Sequence, residues 1–194
     1  LPVTIKTRIG YDDVEDYENL YNFISTLKAT GVKTFIIHAR KAMLGKFTPK
    51  QNLNIPPLKY DYVYKLKEDF PDLEIIINGG IKNLEESEDH LNKVDGVMIG
   101  RCAYENPFML QDVEKRFFNE VPLIESKKEI LHRYLDYVEC KVEEGHNLPK
   151  MLKHLFGLSR GDKNAKVFRM KIIEAMKENK IKPFRDDLDN LLVY

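Results

Sequence analysis

The residues best suited to hold an anion follow two short apolar segments. Residues 75–80 read IIINGG, and residues 97–101 read VMIGR. Glycine lets the backbone approach a ligand closely, and bare N–H groups beside an arginine suit a phosphate dianion. We therefore predict a phosphate site here, although two tight turns without a ligand are the alternative. Its candidate residues are Asn78, Gly79, Gly80, Gly100 and Arg101.

A lysine inside a strand-like segment is the second candidate. Residues 3–8 read VTIKTR, and alternation along a strand puts Lys6 on the same face as Arg8. A lysine in such a position needs a negatively charged or polar partner. Lys6 therefore indicates either an anionic ligand or an ion pair with a neighbouring strand.

The third candidate group stands at the end of another apolar segment. His38 closes residues 34–38, and Arg40 and Lys41 follow it. A histidine and two cations at a strand end could hold a phosphate or a nucleic-acid backbone, whereas a histidine that only bonds to its loop is the alternative. The polar loop from 40 to 57 carries Lys50 and is long enough to reach a partner.

Four βα units are predicted to position these residues. Apolar runs of this length are typical of strands buried on both faces of a parallel sheet, and their spacing fits helical crossovers. Glycines that end successive strands are typical of the phosphate site of a (β/α)₈ barrel. The strands are predicted at 3–8, 33–38, 73–78 and 95–100, with helices from Asp12 and Asp13 to Gly31 and over 60–70, 84–93 and 107–118.

The predicted fold class is α/β, the C-terminal half of a TIM-type barrel followed by a small helical domain. Half a barrel would leave two bare parallel edges, so we expect the chain to be the C-terminal part of a longer polypeptide. Strand-like runs stop near residue 120, which divides the chain into 1–120 and 121–194. Short glycine-containing loops there predict a helical bundle, with helices over 130–145, 151–158, 166–177 and 188–193.

Charge is segregated along a chain whose net charge is zero. Residues 146–185 contain 11 Lys and Arg but 3 Asp and Glu. This basic block predicts a surface for a polyanion, and a solvated lysine-rich helix face is the alternative. The two cysteines form no disulfide framework or metal motif, and we expect an intracellular, reducing compartment, the cytoplasm, or an organelle if a targeting segment precedes the chain.

Taken together, these segments resemble the tRNA-dihydrouridine synthase family. The motifs occur in that family's order and spacing, and two of them, PKQN at 49–52 and DGVMIGR at 95–101, are closest to its DusA-type branch. The other segments are TIKTRIG at 4–10, IIHARKA at 36–42, IPPL at 55–58 and INGGI at 77–81.

The resemblance implies a flavin enzyme that reduces uridine to 5,6-dihydrouridine in the D-loop of tRNA. FMN would lie at the C-terminal rim of the barrel and be reduced by NADPH. Lys6 and His38 would contact the flavin and its ribityl-phosphate arm. The phosphate would be held by Asn78, Gly79, Gly80, Gly100 and Arg101.

The resemblance also implies tRNA contacts. The basic tail resembles the family's tRNA-binding domain, in which Lys166 and Arg169, one helical turn apart, can face the same phosphates. Lys50 resembles a substrate-recognition lysine, and Arg40 is assigned to tRNA at the same rim. Leu53 stands where the branch usually has an arginine, which leaves the modified uridine open.

The main departure from the family is the catalytic cysteine, which protonates C5 of the uracil after hydride reaches C6. In the family it precedes the strand that opens this chain, and neither Cys102 nor Cys140 matches it. We therefore expect the chain alone to be inactive and to bind FMN weakly or not at all. A non-catalytic RNA-binding module is the alternative, while another FMN or sugar-phosphate barrel enzyme would leave the basic tail unexplained.

Overall fold

A four-stranded parallel sheet organises the first hundred residues in the computed structural model, which describes residues 1–121 and 126–191. Each strand pairs with the next one in sequence, and all three pairings are parallel. The sheet contains β1 (Thr4–Arg8), β2 (Thr34–His38), β3 (Glu74–Asn78) and β4 (Gly96–Met98). The predicted parallel α/β arrangement is confirmed.

Alternation along the strands gives the sheet one apolar face that packs against helices. Phe35 and Ile37 of β2 and Ile75 and Ile77 of β3 are fully buried. They share a core with residues of two helices, α1 (Tyr17–Lys28) and α3 (Tyr60–Asp69), and a further helix, α4 (Leu84–Leu91), follows β3. Burying each large apolar side chain contributes about 1.5–3 kcal/mol. The intervening residues, among them Lys6 and Asn78, therefore lie on the opposite face.

The first helix begins later than predicted. Asp12 and Asp13 do not open it, because Tyr11 and Val14 exchange backbone hydrogen bonds of 2.9 and 2.8 Å around them. Asp12 has a φ of 44° in this turn, a value outside the right-handed helical region. Asp16 caps the helix instead, since its carboxylate accepts the Asn19 N–H at 2.8 Å.

The rim loop, residues 40–57, contains a short helix that was not predicted. This helix, α2 (Pro49–Asn52), has Thr48 as its N-cap and a reciprocal capping box between Thr48 and Gln51. Pro49 stands in its first turn, where its missing N–H costs nothing. Thr48 followed three residues later by glutamine was the sequence signal for it.

Asp95 ties the two C-terminal strands to a helix. Its Oδ2 accepts the backbone N–H of Ile75 at 2.8 Å and lies 2.8 Å from Lys67 Nζ. Burial alone would raise the pKa of the Asp95 carboxyl, but the Ile75 N–H and the Lys67 ammonium lower that pKa below its ordinary value. Asp95 therefore acts as an ionised acceptor at the start of β3 and β4.

Contacts divide the chain into two compact units, Leu1–Gly100 and Arg101–Tyr194. The described residues of the second unit form helices and no strand. These are α5 (Arg101–Glu105), α6 (Met109–Phe117), α7 (Lys127–Glu143), α8 (Leu148–Leu152) with a 3₁₀ turn (Lys153–Gly157), α9 (Ala165–Glu178) and α10 (Lys182–Leu191). The assignment of 1–120 and 121–194 to a barrel part and a tRNA-binding part stays a prediction.

The second unit has its own apolar core. Leu131 and Leu135 of α7, Phe168 of α9 and Phe184 of α10 are buried in it, and the two phenylalanine rings meet edge to face at 5.6 Å. Helix α10 begins at Lys182 rather than at the predicted Leu188, and residues 192–193 of that prediction lie outside the described residues. Helix α5 was not predicted. Among the described helices, none has the length and hydropathy needed to cross a bilayer.

Candidate functional site

The strand register brings the predicted site residues of the first unit to one edge of the sheet. Arg8 of β1 is level with His38 of β2, which is level with Asn78 of β3, and Asn78 is level with Met98 of β4. The carboxyl ends of parallel strands meet at one edge, where ligands bind in open and closed α/β sheets. His38, Asn78 and the glycines that follow it therefore lie near one another because each stands at the end of its own strand, a position that the local sequence already indicates.

The turn after β3 has the geometry of an anion site. Gly79 and Gly80 have φ angles of 118° and 75°. In the described part of the chain, their backbone N–H groups donate to no acceptor. A Cβ atom at Gly79 would lie 2.5 Å from His38 Cδ2, and one at Gly80 would lie 2.6 Å from Leu58 Cδ1. Only glycine fits both positions, and successive N–H groups of this kind form a concavity for an anion.

Lys6 lies on the face of the sheet opposite the helices and bonds to Asn78. Its Nζ donates to Asn78 Oδ1 at 3.1 Å, and Asn78 Nδ2 donates to the Met98 carbonyl at 2.8 Å. Burial lowers the pKa of Lys6, and the nearby Arg8 guanidinium lowers it further. Within the described residues no carboxylate pairs with Lys6, so the alternative of an ion pair with a neighbouring strand is not what the structure shows.

His38 is buried at the end of β2. It is 6% exposed, and its ring occupies the space that a side chain at residue 79 would need. The Ala39 N–H that follows it donates to the Asn78 carbonyl at 2.9 Å, which continues the β2–β3 pairing into the rim. The His38 ring therefore lies beside the glycine turn (Gly79 and Gly80), and its contacts are not confined to the rim loop.

Arg8 and Asn52 hold the rim loop against β1. Arg8 donates through Nη1 to the carbonyl oxygens of Lys41 at 2.8 Å and Asn52 at 3.1 Å. The Asn52 side chain accepts the Met43 N–H at 2.7 Å and donates to the Met43 carbonyl at 3.0 Å. An amide side chain that accepts one hydrogen bond and donates another to the same loop holds that loop in a fixed conformation. Neither role was predicted for these two residues, because each contact joins residues distant in sequence.

The cations of the rim loop differ in their surroundings. Arg40 is half-buried and donates to the Pro56 carbonyl, so part of its guanidinium holds the end of the loop. Lys41 lies 3.1 Å from Glu15 and is largely buried. Lys50, on α2, is exposed and forms no ion pair in the described part of the chain. The assignment of Arg40 and Lys50 to tRNA stays a prediction, and Lys50 is the better placed for it.

Gly100 and Arg101 stand on either side of the division between the two units. A Cβ atom at Gly100 would have no neighbour within 4 Å, so this position is open. Arg101 is the first residue of α5 and is exposed. Their assignment to the phosphate site stays a prediction that rests on the sequence.

The basic block of the second unit is partly neutralised. Arg160 lies 3.0 Å from Glu105, Lys171 lies 3.0 Å from Asp187, and Arg185 lies 2.6 Å from Glu139. These acidic partners come from outside residues 146–185, so the local charge excess overstates the net charge of the surface. Lys166 and Arg169, by contrast, are exposed on α9 and form no ion pair within the described ranges.

The two cysteines lie in the second unit. Cys102 is half-buried on α5 with its Sγ 3.6 Å from Met109 Sδ, and Cys140 is exposed on α7. Within residues 1–121 and 126–191, no three His, Cys, Asp or Glu side chains form a group that could hold a metal ion.

Comparison with known proteins adds a family to this geometry. The family model for dihydrouridine synthase (Dus) matches residues 1–191. Three curated relatives, each named tRNA-dihydrouridine(20/20a) synthase, are 43–44% identical to this chain over the matched residues. They come from Shewanella oneidensis (44% identity, 92% of this chain, 53% of the relative), Vibrio cholerae (43%, 90%, 54%) and Synechocystis (44%, 87%, 51%). The chain spans about half the length of the curated relatives that it matches.

Proposed function

Because the chain belongs to the dihydrouridine synthase family, we propose that it supplies the C-terminal half-barrel and the tRNA-binding region of an enzyme that reduces D-loop uridine in tRNA to 5,6-dihydrouridine. FMN is the proposed cofactor and NADPH its reductant. The observation that carries this proposal is the glycine turn after β3, with His38 of β2 against it and a Lys6–Asn78 hydrogen bond that joins β1 to β3.

The residues of this turn fit the phosphate of FMN. The N–H groups of Gly79 and Gly80 are directed to no acceptor in the described part of the chain, and no side chain can occupy either position without a clash. Asn78 bonds to the Met98 carbonyl and so keeps the ends of β3 and β4 together. Gly100 and Arg101 would add an open backbone approach and a cation for the dianion.

Lys6 and His38 would hold the rest of the cofactor. When bound, FMN supplies hydride transfer to the uracil ring. Lys6 presents a positive charge on the open face of the sheet, where it would bind the anionic or carbonyl groups of the flavin. His38 would orient the ribityl-phosphate arm, because its ring is fixed between the end of β2 and Gly79.

The tRNA would be held by cations on both units. Lys50 on the rim loop would contact the substrate near the flavin, with Arg40 fixing the end of that loop. Lys166 and Arg169 on α9 would neutralise phosphates of the tRNA backbone, which positions a nucleic acid without reading its sequence. The cytoplasm is the proposed location for such a reaction.

The proton for C5 of the uracil would come from a residue outside those described here. Cys102 is packed against Met109, and Cys140 stands in the middle of a long helix of the second unit. Cys102 lies within α5, after the proposed phosphate residues Gly100 and Arg101, and neither cysteine lies on a strand of the sheet. We propose that the general acid belongs to another part of the enzyme, and that these 194 residues alone do not complete the reaction.

The test uses the natural form of the protein, that is, the full polypeptide that the cell makes. We expect that protein to release FMN on denaturation, and we expect deletion of its gene to remove dihydrouridine from at least one D-loop position, as read by mass spectrometry of tRNA. A plasmid that encodes the natural form would restore the modification, whereas one that encodes residues 1–194 alone would not. Unchanged dihydrouridine after deletion would contradict the proposal.

A non-catalytic RNA-binding module is the second candidate, favoured by the exposed Lys166 and Arg169. Such a protein would bind tRNA without retaining FMN, and its deletion would leave every dihydrouridine in place. The same experiment therefore separates the two functions.

A further inference from the structure

Tyr60, the first residue of α3, bonds directly to the glycine turn. Its hydroxyl donates to the Gly79 carbonyl oxygen at 2.6 Å, and a Cβ atom at Gly80 would lie 3.1 Å from the Tyr60 hydroxyl oxygen. The residue is half-buried, and burial raises the pKa of its phenol, so the hydroxyl keeps its proton at neutral pH. Tyr60 is therefore a permanent donor to this peptide group.

A buried histidine fixes the Tyr60 ring. His90 of α4 is 6% exposed and meets that ring edge to face at 4.6 Å. Its Nδ1 lies 2.8 Å from the hydroxyl oxygen of Tyr64, one helical turn along α3. Burial lowers the pKa of His90, although Glu86 and Asp89 oppose this, so the ring packs uncharged. The donor thus has little freedom to leave the Gly79 carbonyl.

The hydrogen bond from Tyr60 is made to the peptide group that joins Gly79 to Gly80, and it therefore affects the direction of the Gly80 N–H. In a trans peptide the carbonyl and the N–H point in opposite directions, so the Gly79 carbonyl sets the direction of the Gly80 N–H. A peptide between two glycines can rotate as a unit, because neither neighbour has a Cβ atom to resist it. Without an external partner, the Gly80 N–H would sample both sides of the turn.

We propose, on the premise of the phosphate site described above, that Tyr60 is a positioning residue that locks the Gly79–Gly80 peptide with its N–H toward the anion. It acts through the carbonyl and does not touch the ligand. A residue that only packed against the turn would stabilise the turn as a whole, whereas Tyr60 sets the orientation of the Gly79–Gly80 peptide.

The experiment compares Tyr60→Phe with Tyr62→Phe in the 194-residue chain. Tyr62 lies on the same helix, and in the described part of the chain its hydroxyl forms no hydrogen bond, so its loss controls for removing a phenol from α3. Inorganic phosphate is titrated into chain labelled with ¹⁵N-glycine, and the amide signals of Gly79 and Gly80 are followed. Loss of one such hydrogen bond predicts about tenfold weaker phosphate binding by Tyr60→Phe.

A second readout isolates orientation from stability. Before phosphate is added, we expect the Gly80 amide signal of Tyr60→Phe to broaden or shift while other glycine signals do not, and thermal unfolding to change little. Equal phosphate affinity and equal Gly80 signals in Tyr60→Phe and Tyr62→Phe would overturn the role of Tyr60 and leave the phosphate site standing. If phosphate moves neither amide signal in the unaltered chain, the proposed phosphate site itself fails, and the role of Tyr60 with it.

Discussion

Lys6 on β1 donates a 3.1 Å hydrogen bond to Asn78 on β3, although β2 lies between these two strands. Both side chains must lean over β2 on the face opposite the helices to meet. Asn78 then passes the connection on to the Met98 carbonyl on β4. One lysine and one amide therefore link three strands at the edge that we propose as the site of the cofactor phosphate.

Replacing Lys6 by methionine tests the charge at this edge. The change keeps much of the side-chain length but removes the cation, and hydrogen bonds to charged groups contribute about 1.5–3 kcal/mol. Because Lys6 is assigned to the flavin, we expect FMN binding by the natural-length protein to weaken by about 10- to 150-fold, as measured by titration calorimetry. Lys33→Met is the control, because Lys33 is 67% exposed and lies 3.9 Å from Asp72. Equal affinity in the two variants would exclude Lys6 from the site.

Replacing Gly79 by alanine tests whether the glycine turn needs glycine at this position. Gly79→Ala combines a positive φ with a clash against His38, whereas Gly31→Ala has a φ of 95° and no neighbour within 4 Å. The backbone conformation alone costs about 1–2 kcal/mol, and overpacking adds about 1–3 kcal/mol. We expect urea unfolding to show a larger loss of stability for Gly79→Ala than for Gly31→Ala. The same loss in both would mean that His38 moves away freely.

Asp95 makes the stability of the first unit depend on pH in the acid range. The pKa of its carboxyl is lower in the folded chain than in the unfolded chain, so folding favours the ionised form. Its contribution is complete above the unfolded pKa of about 3.9 and disappears as the pH falls through the lower folded value.

The corresponding variant is Asp95→Ala. We expect it to lower the free energy of unfolding by about 1–3 kcal/mol at pH 7, because the Ile75 N–H loses its acceptor. The difference from the unaltered chain narrows below about pH 4. Asp89→Ala, an exposed position on α4, controls for general loss of a carboxylate and is expected to change stability little. A constant difference across pH 3–7 would contradict the role of the ionised carboxyl.

Replacing Lys166 and Arg169 together by alanine tests the nucleic-acid surface of α9. Each cation that neutralises a phosphate contributes roughly −0.7 to −0.9 to the slope of log affinity against log salt. We expect the slope for tRNA to become shallower by up to about 1.4–1.8 units, with thermal unfolding nearly unchanged because exposed charges contribute little to stability.

Lys171→Ala is the control on the same helix. Lys171 lies 3.0 Å from Asp187 and 3.5 Å from Glu174, so it is expected to change the salt slope less. If the double variant is destabilised while its salt slope is unchanged, Lys166 and Arg169 are structural, and tRNA is bound by another surface or not at all.

The sheet could be predicted because its signals are local. Ile75 and Ile77 belong to a run of β-branched residues that ends in glycine, and the structure begins and ends β3 within one residue of the prediction. The start of α1 could not be placed in the same way, since Asp12 and Asp16 are both good caps. The turn that Tyr11 forms with Val14 decided between them.

For the proposed site too, the residues that local signals mark were predicted, and those that depend on contacts distant in sequence were missed. Gly79 and His38 were found because strand ends converge on one edge of a parallel sheet, a rule that needs only strand positions. Tyr60 was missed because its bond to the Gly79 carbonyl crosses 19 residues and leaves no periodic pattern. Asn52 was likewise missed, although the capping box that begins α2 would have placed it on a helix.

The sequential order of the strands shapes how the sheet can assemble. Thr4 pairs with Thr34, Thr34 with Glu74, and Ile76 with Gly96, so each of these three described ladders closes a loop of about 20–40 residues. The shortest loop joins β3 and β4, the pair that Asp95 also ties together. Each βα unit can therefore dock on its predecessor as the chain leaves the ribosome, and the glycine turn is complete as soon as β3, α3 and β2 are in place.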